Sequence, residues 1–168
     1  MAEIADDCGM SAANLYRYFD NKQSLARTCI KFHIEERIER IQIAIREPGL
    51  SASGKLRALT LACLEHCHAI YSQEFHLHHL IQQITSEYPE VVNEKIRNIE
   101  TAIASVLSEG IDNHEFQPVE IDITARAIYS SISSFDIPYV MSYLSLDEFK
   151  IRALEVVDLI LLGLRRNQ

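Results

Sequence analysis

Apolar side chains recur at intervals of three and four residues along most of this chain. In the segment 22–47, for example, Ile30, Ile34 and Ile41 follow this spacing, which gathers them on one face of an α-helix. No segment keeps the alternation of apolar and polar residues that is typical of a half-buried β-strand. Only 5 Gly and 4 Pro occur, so turns are scarce and the elements between them must be long. The pattern therefore predicts an all-α protein.

Turn-forming residues divide the chain into the predicted helices. Gly9 ends the first helix, and Ser11 is a suitable N-cap for the second. Asp20, with Gln23 three positions later, predicts a capping box at the start of the third helix. Pro48 then breaks that helix. The predicted helices span residues 1–8, 12–19, 22–47, 55–71, 74–87, 89–109, 122–136 and 146–165.

The break at Pro48 and Gly49, followed by the polar loop 51–54, is the one plausible domain boundary. We expect an N-terminal head at residues 1–47, which includes the long third helix, and a helical body at residues 48–168.

Charge is distributed unevenly between these two parts. The chain has a net charge of −8, which excludes a protein that coats nucleic acid or an anionic membrane over its whole surface. Residues 1–46 are electrically neutral, whereas residues 47–168 hold all the excess negative charge. Contact with nucleic acid is therefore expected only in the N-terminal part.

The cysteines Cys8, Cys29, Cys63 and Cys67 form no CxxC pair, and a chain of 168 residues can build a core without disulfides. We expect reduced thiols and a cytoplasmic protein. No signal peptide is expected at the start of the chain. The longest strongly apolar tract, 159–164, is far shorter than the ~20 residues of a transmembrane helix, so no membrane contact is expected.

Motifs of the common enzyme classes are missing from the sequence, namely G-x-S-x-G, H-E-x-x-H, the P-loop and G-x-G-x-x-G. We therefore expect no catalytic activity and no cofactor. His33 and Glu36 lack a second histidine at the spacing of a zinc motif, and we interpret their segment as the solvent side of a helix.

Residues 4–25 form a helix, a glycine turn and a capped second helix, which is a helix-turn-helix. Small Ala5 permits close approach of the two helices, and Met10, Leu15 and Phe19 supply the apolar contacts between them. The start of the second helix points outward, where Asn14 can bond to adenine and a neighbouring alanine can contact a thymine methyl group. Hydroxyl and basic groups nearby can bind phosphates. The predicted DNA-binding residues are Ser11, Ala12, Ala13, Asn14, Tyr16, Arg17, Tyr18 and Lys22.

The string IAxxCGMSxxxLYxYFxxKxxL over residues 4–25 resembles the motif of TetR-type transcriptional regulators. The loop 110–118 is similar to the segment that these proteins carry before their penultimate helix. The resemblance implies a homodimer that binds a double-stranded DNA operator through its head and a small molecule through its helical body. On this basis we interpret the chain as a regulator, most simply a repressor that the small molecule releases from DNA.

Two features depart from the family pattern. Ala13 stands where the family has glycine, which changes the face offered to the bases. The family also has a further helix before the position of Met1. We expect that Ile4, Leu15 and Phe19, which that helix would cover, face water in this chain.

The body is expected to enclose an apolar cavity for a mainly apolar effector, aromatic or acyl in nature, with one polar group. The alternative is that the same residues fill a solid core. The candidate lining residues are Cys67, Ile70, Tyr71, Phe75, His79, Ile103, Leu107, Tyr129 and Ile132.

The last two helices are expected to pair with their copies in a four-helix dimer interface. The helix at 122–136 has many small residues, and the helix at 146–165 is apolar on most sides, which suggests this arrangement. The alternative is that the last helix is the buried central helix of a monomer. The candidate interface residues are Ala127, Ser131, Ser134, Val157, Leu161 and Leu164.

Two further functions remain open. One is a helical dimer that acts as a protein-interaction module. The other is a metal or thiol sensor, because Cys63, His66 and Cys67 share one helix face, as His76 and His79 do on the next predicted helix.

Overall fold

The structure, a computed structural model, describes residues 1–73 and 88–165. The predicted helix at 74–87 lies outside these residues. Within the described ranges the chain forms helices and no β-strand, which confirms the all-α prediction. The α-helices are α1 (Ala2–Asp7), α2 (Ala12–Tyr16), α3 (Lys22–Ile45), α4 (Ala52–Gln73), α5 (Pro89–Asp112), α6 (Ile121–Ile132) and α7 (Leu146–Leu164). Two 3-10 helices, Ser133–Asp136 and Pro138–Ser142, connect α6 to α7.

The main apolar core lies between α4, α5, α6, α7 and the C-terminal half of α3. Ile41, Leu59, Ile103 and Leu161 are each fully buried in it. Each of these side chains comes from a different helix, so the cluster joins α3 to three helices of the body. Burial of one such side chain stabilises the fold by roughly 1.5–3 kcal/mol.

A second, smaller core lies where α4 meets α7 and the 3-10 segment. It contains Leu64, Cys67, Met141 and Phe149. Phe135 packs partly buried against both cores, and its ring meets the Phe149 ring edge-on at 6.4 Å between centroids. None of the helices in the described ranges combines the length and the apolarity that crossing a bilayer requires.

Two helix boundaries in the head differ from the sequence prediction. Helix α2 ends at Tyr16 instead of Phe19, where the N–H groups of Arg17 and Tyr18 bond to carbonyls three residues earlier, the tighter pattern common at helix ends. The N-cap of α3 is Asn21 instead of Asp20, since the Asn21 side chain accepts the N–H of Ser24 at 2.8 Å.

Helix α4 begins at Ala52, three residues before the predicted start. The carboxylate of Glu115 accepts the N–H groups of Ala52 and Ser53 at 2.7 and 2.8 Å, and so supplies acceptors that the first turn of a helix needs. Glu115 belongs to the loop between α5 and α6, which is held against α5 because Phe116 packs directly over Gly110.

Helix α6 also ends earlier than predicted, at Ile132, and a 3-10 turn carries the chain on to Asp136. This turn brings the Asp136 side chain into the interior, where it pairs with Arg37 of α3 and, at 2.6 Å, with Lys95 of α5. The Arg37 and Asp136 side chains are only 7% and 3% exposed. This buried cluster of charges links three separate elements.

Candidate DNA-binding site

The head is built on a short turn between α1 and α2. Gly9 adopts a φ of +65°, a left-handed conformation that side chains disfavour. The N–H of Met10 then donates to the carbonyl of Ala5 at 2.8 Å. Ser11 caps α2, since its hydroxyl accepts the N–H of Asn14 at 3.2 Å. The helix-turn-helix therefore forms as its glycine and serine predict.

The contact between α1 and α2 depends on two residues. Ala5 is 1% exposed and Leu15 is 4% exposed, so both side chains are buried in the contact between α1 and α2, as predicted. The expectation that Leu15 faces water is therefore wrong, while Ile4 and Phe19 are half-buried. Met10 is 37% exposed and contributes less to this contact than the sequence suggested.

The predicted DNA-binding residues lie at the surface of the head. Tyr16 and Tyr18 are 53% and 71% exposed, unusually high for aromatic side chains. Arg17 and Lys22 are exposed, and neither forms an ion pair within the described part of the chain. The remaining candidates are exposed (Ser11 and Ala13) or half-buried (Ala12 and Asn14). Their individual contacts with DNA stay a prediction.

The N-terminal half of α3 fixes the head to the start of α5. Ala26 and Ile30 pack against Val91 in a small buried cluster. Beside it, Arg27 pairs with Glu90 at 3.3 Å and lies 5.2 Å from the centre of the Tyr88 ring. These contacts fix the N-terminal half of α3, and with it the head, relative to the start of α5.

Comparison with known protein families agrees with the helix-turn-helix seen in the head. The model of bacterial regulatory proteins of the tetR family matches residues 1–29, and that of the tetracyclin repressor-like C-terminal domain matches residues 52–157, more than half of the chain. The chain belongs to the TetR family. It is a DNA-binding transcriptional regulator, and residues 1–29 hold its DNA-binding motif.

Solved structures share this fold at low sequence identity. The fatty acid degradation regulator FadR from Bacillus halodurans has a TM-score of 0.76 at 20% identity, covering 99% of this chain and 85% of its own. FadR from Bacillus subtilis, in complex with stearoyl-CoA, has a TM-score of 0.69 at 21% identity, covering 96% and 87%. The ketosteroid regulator KstR2 of Mycobacterium tuberculosis has a TM-score of 0.60 at 18% identity, covering 98% and 83%. No curated protein sequence matches this chain.

The candidate effector residues divide between the two apolar cores. Ile103, Leu107, Tyr129 and Ile132 belong to the main core, whereas Cys67 and Tyr71 belong to the second. Ile70 is also buried. Phe75 and His79 lie outside the described residues. Burial raises the pKa of Tyr129, so its hydroxyl stays protonated and able to donate a hydrogen bond.

Within the described residues, Cys63, His66 and Cys67 are not brought together as a set of three metal-ligating atoms, so the metal or thiol site stays a prediction. Burial, reinforced by Asp136, raises the pKa of each of the two thiols to about 12, so neither is a thiolate at neutral pH. His66 is directed instead at α3, where its Nε2 lies 3.1 Å from the carbonyl oxygen of His33. His76 and His79 lie outside the described residues.

The candidate dimer residues fall into two groups. On α6 and just after it, Ala127, Ser131 and Ser134 are exposed and available to a partner. On α7, Val157, Leu161 and Leu164 are buried in the protomer's own core, so their assignment to an interface is wrong. Because α7 is apolar on most sides, the sequence did not indicate which face turns inward. The exposed apolar residues of α7 are Ile151, Leu159 and Leu162.

Proposed function

We propose that this TetR-family regulator is a repressor that a mainly apolar, acyl-bearing effector releases from its operator. The observation that carries the proposal is the continuity of α3, a single helix of 24 residues. It begins at Lys22 among the exposed DNA-binding candidates and ends at Ile45 in the main core of the body. Such a helix is roughly 36 Å long and moves as a stiff rod.

The interior of the body suits an apolar effector. The candidate residues Ile103, Leu107 and Ile132 are aliphatic, and Tyr129 offers one hydroxyl among them. A ligand placed there would bury hydrocarbon and satisfy one polar group. Two structural neighbours support an acyl chain as the apolar part: FadR from Bacillus halodurans, a fatty acid degradation regulator, and FadR from Bacillus subtilis, which is bound to stearoyl-CoA.

The buried charged cluster of Arg37, Lys95 and Asp136 connects the proposed effector site to α3. Arg37 of α3 is held by Asp136, which directly follows α6, and Asp136 in turn pairs with Lys95 of α5. An effector that separates α5 from α6 would move Asp136 and, with it, α3 and the head. In a dimer this changes the distance between two recognition helices, which must match about one turn of DNA, ~34 Å.

We further propose that the repressor is a homodimer formed by α6 and α7. Ile123, Ala127 and Ser131 follow one another at intervals of four along the exposed side of α6. On α7, Ile151, Leu159 and Leu162 are 59%, 70% and 66% exposed and also share one face. Leucine and isoleucine side chains this exposed on adjacent helices are typical of a surface that a partner covers.

Binding of acyl-CoA thioesters in the absence of DNA tests the effector part of the proposal. Thermal unfolding in the presence of a series of chain lengths should identify a stabilising ligand, because a ligand that binds only the folded state raises its stability. Tyr129→Ala should abolish that response, whereas the matched change Tyr16→Ala in the head should leave it intact. An equal response from both variants would exclude Tyr129 from the effector site.

A further inference from the structure

Two histidines and a glutamate meet where α3 packs against α4, at the edge of the buried contact between the two helices. His33 and Glu36 lie one turn apart on α3, and His66 comes from α4. One ligand atom of each lies within 4.8 Å of the other two. In residues 1–73 and 88–165 this is the one group of three histidine, cysteine or acidic residues with this arrangement.

Glu36 is already oriented toward the two imidazoles. Its Oε1 accepts two hydrogen bonds from the Arg40 guanidinium, at 2.7 Å from Nη2 and 3.2 Å from Nε. Its other oxygen, Oε2, lies 3.7 Å from Nδ1 of His33. Outer contacts of this kind, which fix one carboxylate oxygen and leave the other available, commonly orient metal ligands.

A ring nitrogen of His33 and most of the His66 side chain are buried between the helices. Within the described residues, Nδ1 of His33 is buried and lacks a hydrogen-bond partner, an unfavourable state for a polar atom that a ligand would relieve. The His66 residue is 3% exposed, and its contact with the His33 carbonyl holds its ring across α3. The side chains of His33 and Glu36 are 24% and 32% exposed, so they can close around an ion that enters from solvent.

We propose that His33, Glu36 and His66 form a binding site for a divalent first-row transition cation such as Zn²⁺. Two imidazoles and a carboxylate suit zinc, copper and nickel, whereas magnesium and calcium prefer oxygen ligands alone. Three protein ligands leave the fourth tetrahedral position to water. The neighbouring guanidinium of Arg37 is paired with Asp136, which offsets its repulsion of a cation, whereas Arg40 would share the charge of Glu36 with the ion.

The site joins two helices that carry different parts of the molecule. Zinc–ligand bonds are about 2.0–2.2 Å long, so binding would draw His33 and Glu36 of α3 closer to His66 of α4. A bound cation would therefore hold α3 against the body. If the proposed repressor function holds, the cation acts on operator affinity through the same helix as the effector.

Zinc titration of the chelator-treated, DNA-free protein tests the site, with a chromogenic indicator to report free metal. We expect one Zn²⁺ bound per chain at this site, and a visible Co²⁺ spectrum of tetrahedral form when cobalt replaces zinc. His33→Ala and Glu36→Gln should each weaken binding roughly tenfold or more. These two side chains are partly exposed, so the variants should fold even if a change at buried His66 does not.

His68→Ala is the matched control, because His68 lies on α4 outside the group and should leave zinc affinity unchanged. Absence of stoichiometric zinc binding would overturn the proposal. Binding that is equally strong in the wild type, His33→Ala and Glu36→Gln would also overturn it, since the ion would then occupy other residues. The titration involves neither DNA nor acyl-CoA, so its result is independent of the repressor function.

Discussion

The guanidinium of Arg37 and the carboxylate of Asp136 are buried against each other although 99 positions separate them in the sequence. Asp136 also pairs with Lys95, so one buried anion serves two cations from different helices. Because Arg37 lies on the helix that enters the DNA-binding head, this contact is a direct and buried polar connection between the body and α3.

Removal of the Asp136 carboxylate should strongly destabilise the protein. Asp136→Ala leaves the buried charge of Arg37 without its partner, which typically costs about 3–5 kcal/mol. Urea unfolding followed by circular dichroism measures this loss. The control is Asp158→Ala, which breaks the exposed pair with Arg57 and should cost less than about 1 kcal/mol. Equal losses in the two variants would show that the buried pair has no special role.

The contact between Gly110 and Phe116 should not tolerate a methyl group. A Cβ atom at position 110 would lie 2.2 Å from Cδ2 of Phe116 and 2.9 Å from Cβ of Ala52. Gly110→Ala should therefore lower the free energy of unfolding by about 1–3 kcal/mol or more, despite the better helix propensity of alanine. Gly163→Ala is the control, since a Cβ there meets nothing within 4 Å and should have little effect or stabilise slightly. A neutral Gly110→Ala would contradict the packing described here.

The capping of α4 by Glu115 predicts a pH-dependent stability. Burial alone would raise the pKa of Glu115, but hydrogen bonds from Ser53 and Ala52 outweigh it and lower the pKa below the ordinary 4.5. Ionised Glu115 therefore adds its full share to the free energy of unfolding above about pH 5. That share is lost as the pH falls through the lowered pKa of Glu115 in the folded protein.

Replacement of this carboxylate should remove that contribution. Glu115→Gln should cost about 1–3 kcal/mol at pH 7, and the difference from wild type should shrink as the pH falls below 4.5. Chemical denaturation at a series of pH values measures both quantities. A difference that stays constant from pH 7 to pH 3 would show that the charge of Glu115 is unimportant.

Neighbouring leucines on α7 should behave in opposite ways. Leu159 is 70% exposed and Leu161 is fully buried. Leu159→Arg should leave the protomer folded but dissociate the proposed dimer, whereas Leu161→Arg should unfold the chain, because an unpaired charge would enter the core. Sedimentation and circular dichroism distinguish the two effects. A Leu159→Arg protein that remains dimeric would place the interface elsewhere.

Local patterns in the sequence predicted the fold class and the helix-turn-helix because the physical causes are local. Gly9 permits the turn, Ser11 caps the next helix, and the spacing of Ala5 and Leu15 follows from helix geometry. The family resemblance rested on the same short segment and was confirmed by the family comparison.

Contacts between residues far apart in the sequence could not be predicted from these local patterns. The start of α4 depends on Glu115, 63 positions away, and His33 meets His66 only because α3 packs on α4. The assignment of Leu161 to an interface failed for a related reason. On a helix that is apolar nearly all round, periodicity does not reveal which side the core takes.

The dependence of operator affinity on the effector tests the central claim most directly. Fluorescence anisotropy of an operator selected from random DNA should be measured with and without the acyl-CoA that stabilises the protein. We predict that the ligand weakens operator binding by ~5–150-fold, a coupling of ~1–3 kcal/mol, and that operator DNA weakens ligand binding by the same factor. An acyl-CoA that binds tightly through Tyr129 yet leaves operator affinity unchanged would contradict the account.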